Sequence, residues 1–176
     1  GDLYAVFRRA LSVMADVYAS AVGTTVLQIK EIPVRPAGFL GEYNTRPYDE
    51  RGWCTFEDAV SGELLVRLEA YPFMAEALRT LPPKVFELAG GNTKVVTLQV
   101  GQLAGRIDRV TDRIARATFT GNADRDTVPD LYKDYVGRIA DALQTTLALA
   151  SADEEAHEAL PPMPSVALSR DGALAP

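Results

Sequence analysis

The sequence of 176 residues contains one cysteine, one histidine and one tryptophan. A single cysteine excludes an internal disulfide framework, and with one histidine it supplies too few soft ligands for a structural zinc site. We therefore expect no metal site, and a reducing location such as the cytoplasm. The chain also lacks an apolar run of about 18 residues, which a membrane-spanning helix requires, and it lacks the pattern of a signal peptide.

The chain carries no excess of positive charge. It has 18 lysines and arginines against 24 aspartates and glutamates, so its formal net charge is −6. A chain of this sign does not attract phosphate backbones by bulk electrostatics. We therefore expect no nucleic-acid partner and, without an apolar span, no membrane partner. The hydrophobic fraction of 47% is typical of a globular domain.

Composition changes near residue 150. Residues 151–176 contain five acidic residues, one arginine and four prolines, and their apolar residues show no periodicity. Such a segment cannot bury enough surface to offset the entropy lost on ordering. We predict a flexible acidic tail over residues 151–176, with a short docked helix at residues 154–160 as the alternative. Residues 1–150 then form the folded domain.

Helical and strand-like patterns alternate within residues 1–150, which indicates an α/β domain. The patterns predict strands over residues 24–29 and 93–100, the second after a turn at Gly90-Gly91-Asn92. Helices are predicted over residues 2–22, after Arg51, between Pro72 and Pro82, from Leu103, and from Thr127. Thr127 with Asp130 resembles a capping box, and Pro129 suits a first helical turn.

Two strands cannot cover four or five amphipathic helices. Either the domain is mainly helical, or the sequence begins after the first strands of its sheet. The chain starts at Gly1 rather than methionine, and its first helix begins at residue 2. We therefore expect a helix-rich α/β domain that lacks its N-terminal strands.

The densest group of functional residue types lies where a proline-rich loop over residues 31–50 meets the next helix. The segment reads Tyr48-Asp49-Glu50-Arg51-Gly52-Trp53-Cys54-Thr55-Phe56-Glu57. Trp53 and Glu57 lie one turn apart on the same side of that helix. A carboxylate beside an indole at a helix start is partly desolvated, which raises its pKa and presents it to a ligand above the strand ends.

This segment resembles the Toll/interleukin receptor (TIR) family, whose plant and TIR-like branches carry a helix that begins Trp-Cys-x-x-Glu. The resemblance extends over residues 1–115, and its specific part is the ten residues from Tyr48. It implies a flavodoxin-like parallel sheet flanked by helices. In members that cleave NAD the glutamate of the motif is catalytic, which implies Glu57 as the catalytic residue. NAD would be a substrate rather than a prosthetic group, and Trp53, Arg51 and Tyr48 would bind it.

Each of these residues also has a purely structural interpretation. Glu57 is a typical first-turn carboxylate that the helix dipole stabilises, and Trp53 is a typical core anchor. Cys54 fits a small buried hydrophobe, because the one histidine, His157, lies in the predicted tail. Arg51 fits an ion pair with Asp49 or Glu50 better than a phosphate contact. The arginines at 106, 109, 113 and 116, interleaved with Asp108 and Asp112, predict a solvated, salt-bridged helix face.

Three functions are consistent with these patterns. The first is a TIR-like nucleotide-binding and signalling domain that cleaves NAD at the bond between nicotinamide and ribose. The second is a non-catalytic TIR-like interaction module that self-associates or binds another TIR-like domain. The third is a helical accessory domain of a larger protein. The sequence leaves open whether the chain is an enzyme.

Overall fold

The computed structural model describes residues 2–98 and 103–158. The described residues fall into two units, one that ends at Ile139 and one that begins at Ala140. The first contains a three-stranded sheet and the packed helices, and in the second the described residues continue the last helix. In chain order the elements are α1 (Leu3–Ala19), β1 (Val26–Ile29), a 3-10 turn (Tyr48–Glu50), α2 (Gly52–Leu68), α3 (Pro72–Arg79), β2 (Val85–Ala89), β3 (Asn92–Val95), α4 (Arg106–Arg116) and α5 (Asn122–Glu158).

The sheet has the order β1-β2-β3 and is mixed. β1 pairs in parallel with β2, with Val26 opposite Val85, so α2 and α3 form the crossover between them. β2 pairs antiparallel with β3, with Ala89 opposite Asn92. The two residues between them, Gly90 and Gly91, have φ of 57° and 73°. Both central positions of this hairpin turn require positive φ, which glycine adopts at little cost.

The core of the first unit is built around α2. This helix contacts α1, α3, α4 and the 3-10 turn before it. Its buried residues include Phe56, Val60 and Val66, which pack within a core completed from α4 and α5. The largest apolar or aromatic contributors from those two helices are Ile114, Val128, Tyr132 and Tyr135, each no more than 1% exposed. α2 is therefore buried on two sides, unlike an amphipathic surface helix.

The α/β class and the helix-rich composition are confirmed, since the described residues form five α-helices and three strands that join in one sheet. The parallel sheet that the resemblance implies is observed for β1 and β2, whereas β3 runs antiparallel to β2, so the described sheet is mixed. Strand β2 is absent from the sequence prediction. The predicted strand over residues 93–100 is observed as Asn92–Val95, and residues 99–100 lie outside the described part of the chain.

The last helix begins earlier and ends later than the patterns indicate. α5 starts at Asn122 and has Pro129 inside it. Thr127 is consequently not a capping residue: its hydroxyl donates to the Ala123 carbonyl, one turn back, at 2.8 Å. Residues 151–158 of the predicted tail continue α5, while residues 159–176 lie outside the described part of the chain. No helix in the described ranges combines the length and apolarity needed to cross a membrane.

A close contact leaves no room for a side chain at Gly52, the first residue of α2. A Cβ built there would lie 2.2 Å from two ring carbons of Phe119. We expect Gly52→Ala to lower the free energy of unfolding by about 1–3 kcal/mol, the usual cost of overpacking. Gly137 in α5 is the control, since a Cβ there meets nothing within 4 Å. Gly137→Ala should raise the free energy of unfolding by about 0.5–1 kcal/mol.

Urea denaturation of the two variants measures both effects. Phe119→Leu should restore part of the stability that Gly52→Ala loses, because a smaller side chain gives the new methyl group room. Equal effects of the two glycine replacements would contradict the assignment of Gly52 to a steric contact.

Candidate active site

The start of α2 is fixed by backbone hydrogen bonds to a distant segment. Gly52 N–H donates to the Thr118 carbonyl at 2.9 Å, and Thr118 N–H donates to the Glu50 carbonyl at 2.9 Å. These two bonds form an isolated parallel bridge between Arg51 and Thr118. The motif helix therefore begins at a position set by the residues that follow α4, and not by the proline-rich loop alone.

Lys30, the first residue after β1, connects the end of that strand to the motif. Its ammonium lies 2.5 Å from a carboxylate oxygen of Asp49 and 4.2 Å from the centre of the Tyr48 ring. The first contact is an ion pair and the second a cation–π interaction. Both place the motif at the carboxyl end of parallel strand β1, which is where α/β proteins commonly bind ligands.

Glu57 lies in the second turn of α2 and is half-buried. Burial raises the pKa of its carboxyl group, and a hydrogen bond from the Tyr18 hydroxyl opposes this effect. Tyr18 comes from α1, which packs against α2. The phenol pKa of Tyr18 is raised in turn by burial and by the neighbouring Glu57 carboxylate. The Glu57 carboxylate therefore has a tyrosine of a second helix as its neighbour, an arrangement that suits a group that must orient a substrate.

Cys54 and Tyr48 complete the group around Glu57. Burial and the Glu57 carboxylate raise the pKa of the Cys54 thiol, while Arg51 and Lys30 lower it. Burial is also the main cause of the raised pKa of the Tyr48 phenol, to which Cys54 contributes. The thiol is half-buried. A raised pKa keeps the thiol protonated, so its environment does not favour nucleophilic chemistry.

The structure thus brings four side chains together, Glu57, Cys54, Tyr48 and Tyr18, which we name the Glu57 cluster. Tyr18 was not identified from the sequence, because it precedes Glu57 by 39 positions and no local pattern connects them.

Trp53 and Arg51 direct their polar groups elsewhere. The Trp53 indole N–H donates to the Asp124 carboxylate at 3.1 Å, and its ring packs edge-on against Phe56 at 5.9 Å. The Arg51 Nε donates to the Arg46 carbonyl at 2.8 Å. In the described part of the chain, Arg51 does not form the ion pair expected with Asp49 or Glu50. Asp49 pairs with Lys30 instead. The half-buried indole therefore links α2 to the start of α5 rather than to the sheet.

The raised pKa of Glu57 makes stability depend on pH. The native state binds a proton more tightly than the unfolded state, so the wild-type free energy of unfolding falls as pH rises through the window from the ordinary carboxyl pKa to the raised one. Glu57→Gln removes this contribution. We expect the variant to gain stability relative to wild type on going from pH 4 to pH 8. Urea unfolding at both values measures the change, and a pH-independent difference would contradict it.

A cavity of about 590 Å³ adjoins the motif. Asp49 and Glu50 line one side, and the arginines of α4 at 109, 113 and 116 line another. The sequence predicts that the arginines at 106, 109, 113 and 116 pair with acidic residues of their own helix, and this is wrong for Arg106 and Arg113. Arg113 pairs with Asp58 of α2 at 2.8 Å, and Arg106 pairs with Glu63 of α2 at 2.8 Å. Arg116 does pair with Asp112, at 3.5 Å.

Glu63 forms a second charged group that sequence reasoning missed. It is fully buried, and its carboxylate accepts from Arg67 at 2.9 Å, from Arg106 at 2.8 Å and from the Tyr132 hydroxyl at 2.9 Å. Burial and the Glu63 carboxylate raise the phenol pKa of Tyr132. Every oxygen of Glu63 has a partner, so this group joins α2, α4 and α5 rather than offering a reactive site.

Metal ligation and similarity to known proteins add no further assignment. Within residues 2–98 and 103–158, no three histidine, cysteine, aspartate or glutamate side chains are grouped to hold a metal ion. No protein-family model matches the chain, and neither a curated protein nor a solved structure matches it significantly. The candidate site therefore depends on the geometry of the Glu57 cluster and on the motif.

Proposed function

We propose that this chain is a TIR-like, flavodoxin-like nucleotide-binding domain that cleaves NAD at the bond between nicotinamide and ribose. The observation that carries the proposal is the position of Glu57: half-buried, beside Tyr18 of α1, and grouped with Tyr48, whose ring lies under Lys30 at the end of parallel strand β1. A carboxylate in this position is suited to a reaction that develops positive charge on a sugar. The single cysteine fits a cytoplasmic location.

Cleavage of the bond between nicotinamide and ribose needs a carboxylate near the ribose, and it does not need a nucleophilic side chain. As the bond from the ribose C1′ to the nicotinamide nitrogen breaks, the electron pair leaves with neutral nicotinamide and positive charge develops at C1′ and the ring oxygen. The Glu57 carboxylate would stabilise that charge or orient the ribose hydroxyls. Water then adds to C1′ and releases a proton, which gives ADP-ribose. Tyr18 would act as a positioning residue by holding the carboxylate.

Two features of the cavity near the Glu57 cluster suit the part of NAD that lies beyond the reacting ribose. The cavity of about 590 Å³ lies within the size range of small-molecule sites, and its α4 arginines are of the type that binds phosphate. Of the residues that the motif assigns to binding, Tyr48 lies with Glu57 and would contact the substrate, while Trp53 and Arg51 keep their contacts to Asp124 and Arg46. Incubating the purified chain with NAD and quantifying nicotinamide by chromatography tests the proposal, and intact NAD at the end would reject it.

A second candidate is a non-catalytic module that self-associates or binds another TIR-like domain. The observation that favours it is the outward face of β1, where Leu27 is 49% exposed and Ile29 is 60% exposed. Apolar side chains on a sheet face are commonly covered in an assembly. Light scattering over a range of concentrations should then give a mass above that of the monomer, and Ile29→Lys should restore the monomer mass. A strictly monomeric wild type would reject this candidate.

A further inference from the structure

A separate cavity of about 340 Å³ lies at the amino ends of the parallel strands. Lys84, which lines it, immediately precedes β2, and its carbonyl accepts from Val26 N–H at 2.8 Å where β1 begins. The Glu57 cluster instead adjoins Lys30, where β1 ends. Most of the cavity wall is aliphatic or proline, including Leu65, Leu78, Leu81, Pro83, Val85 and Leu98.

Lys84 is the buried charge in this wall. The residue is 6% exposed, and its ammonium donates to the Tyr18 carbonyl near the end of α1. An ammonium has three N–H donors, and in the described part of the chain this carbonyl is its one hydrogen-bond acceptor. No carboxylate of the described residues forms an ion pair with it. A buried cation without a counter-charge is costly, so an anion bound here would relieve that cost.

We propose that this cavity binds a small amphipathic monocarboxylate, with its apolar chain against the leucine and proline side chains and its carboxylate paired with the Lys84 ammonium. The volume is at the lower end of the range for small-molecule sites, which fits a single short chain better than a dinucleotide. The other ionisable residues that line the cavity, Glu69 and Arg79, are exposed at its rim. Lys84 is therefore the buried ionisable residue among those that line the cavity.

The lysine also gives the site a dependence on pH. Burial lowers the pKa of Lys84 to about 8. Only the protonated amine pairs with a carboxylate, so affinity should fall as pH rises above this value, by roughly tenfold per pH unit until the pKa of the bound state is reached. A neutral ligand of the same length should bind equally well at every pH, since it forms no ion pair.

Isothermal titration of the full chain with octanoate tests the proposal at pH 7. Octanoate should bind saturably, and Lys84→Met, which keeps an unbranched side chain only one atom shorter, should weaken binding about tenfold or more. Lys94→Met is the matched control because Lys94 is exposed on β3, and it should bind octanoate within about twofold of wild type. Equal affinity of wild type and Lys84→Met would overturn the proposal.

A second measurement needs no variant and decides the question if Lys84→Met does not fold. The affinity of the wild-type chain for octanoate and for octan-1-ol is compared between pH 7 and pH 10. The proposal requires octanoate affinity to fall across this range while octan-1-ol affinity stays constant. Octanoate binding that is independent of pH, or no tighter than octan-1-ol at pH 7, would overturn it. Neither result depends on NAD cleavage.

Discussion

Replacing Glu57 with glutamine should reduce the rate of nicotinamide release from NAD by about 100-fold or more, the usual cost of removing one group that stabilises transition-state charge. Glutamine keeps the shape of the side chain and an oxygen that accepts from Tyr18, so the loss isolates the negative charge. The effect should fall on kcat more than on KM, because the positive charge on the ribose develops only as the bond breaks. Initial rates over a range of NAD concentrations measure both constants.

Glu76→Gln provides the matched control for this experiment. Glu76 lies on α3, and its carboxylate is 74% exposed in an ion pair with Arg79. The same chemical change there should leave the rate of nicotinamide release unchanged. Tyr18→Phe should give an intermediate rate, since it leaves the carboxylate present but without its positioning hydrogen bond. A Glu57→Gln variant as active as wild type would reject the catalytic role.

Replacing Glu63 with alanine should lower the free energy of unfolding by about 3–5 kcal/mol, the cost of removing one partner from a buried ion pair. The change leaves the guanidinium groups of Arg67 and Arg106, 17% and 19% exposed, without their carboxylate. It also leaves the buried Tyr132 hydroxyl without its acceptor. Urea denaturation monitored by tryptophan fluorescence measures the loss, because Trp53 is the one tryptophan of the chain.

The control is again an exposed glutamate. Glu76→Ala removes an ion pair that solvent screens, so it should change the free energy of unfolding by less than about 1 kcal/mol. Glu63→Gln should fall between the two variants, because an amide still accepts one hydrogen bond but leaves the two arginines without a counter-charge. A cost for Glu63→Ala no larger than that for Glu76→Ala would show that the network does not hold α2 against α4 and α5.

Elements with a clean local signal were predictable from the sequence. The apolar stripe of α1 and the β-branched run of β1 gave both elements within a few residues of their observed bounds. Gly90-Gly91 predicts a turn, which the structure shows as the hairpin between β2 and β3, since two adjacent glycines satisfy the positive φ that this turn requires. These features depend on residues close together in the sequence, which is why pattern reasoning recovers them.

Strand β2 and the start of α5 were missed for different physical reasons. β2 has only five residues and carries Glu87 in its middle, so its pattern is too short to separate from a loop. α5 contains Pro129, which is more favourable in a first turn than inside a helix. Pro129 is the reason that the sequence predicts a helix from Thr127, whereas α5 begins at Asn122. Tertiary packing of Val128 and Tyr132 in the core overrides that local preference.

The candidate site was predictable only in part. The motif identified Glu57 and Tyr48, which the structure places together, but Tyr18 enters through the packing of α1 on α2. Glu63 was not predicted because a glutamate on the inner face of a helix contradicts the amphipathic pattern. It is stable there because Arg67, Arg106 and Tyr132 surround it. Long-range partners of this kind leave no periodic signal.

The most direct measurement of the central claim, that this chain hydrolyses NAD, is a product analysis in water enriched in oxygen-18. The account predicts nicotinamide and ADP-ribose in equal amounts, with one oxygen-18 atom at the ribose C1′, produced by the wild type and not by Glu57→Gln. NAD that remains intact with the wild-type chain, or products formed equally by both proteins, would contradict it.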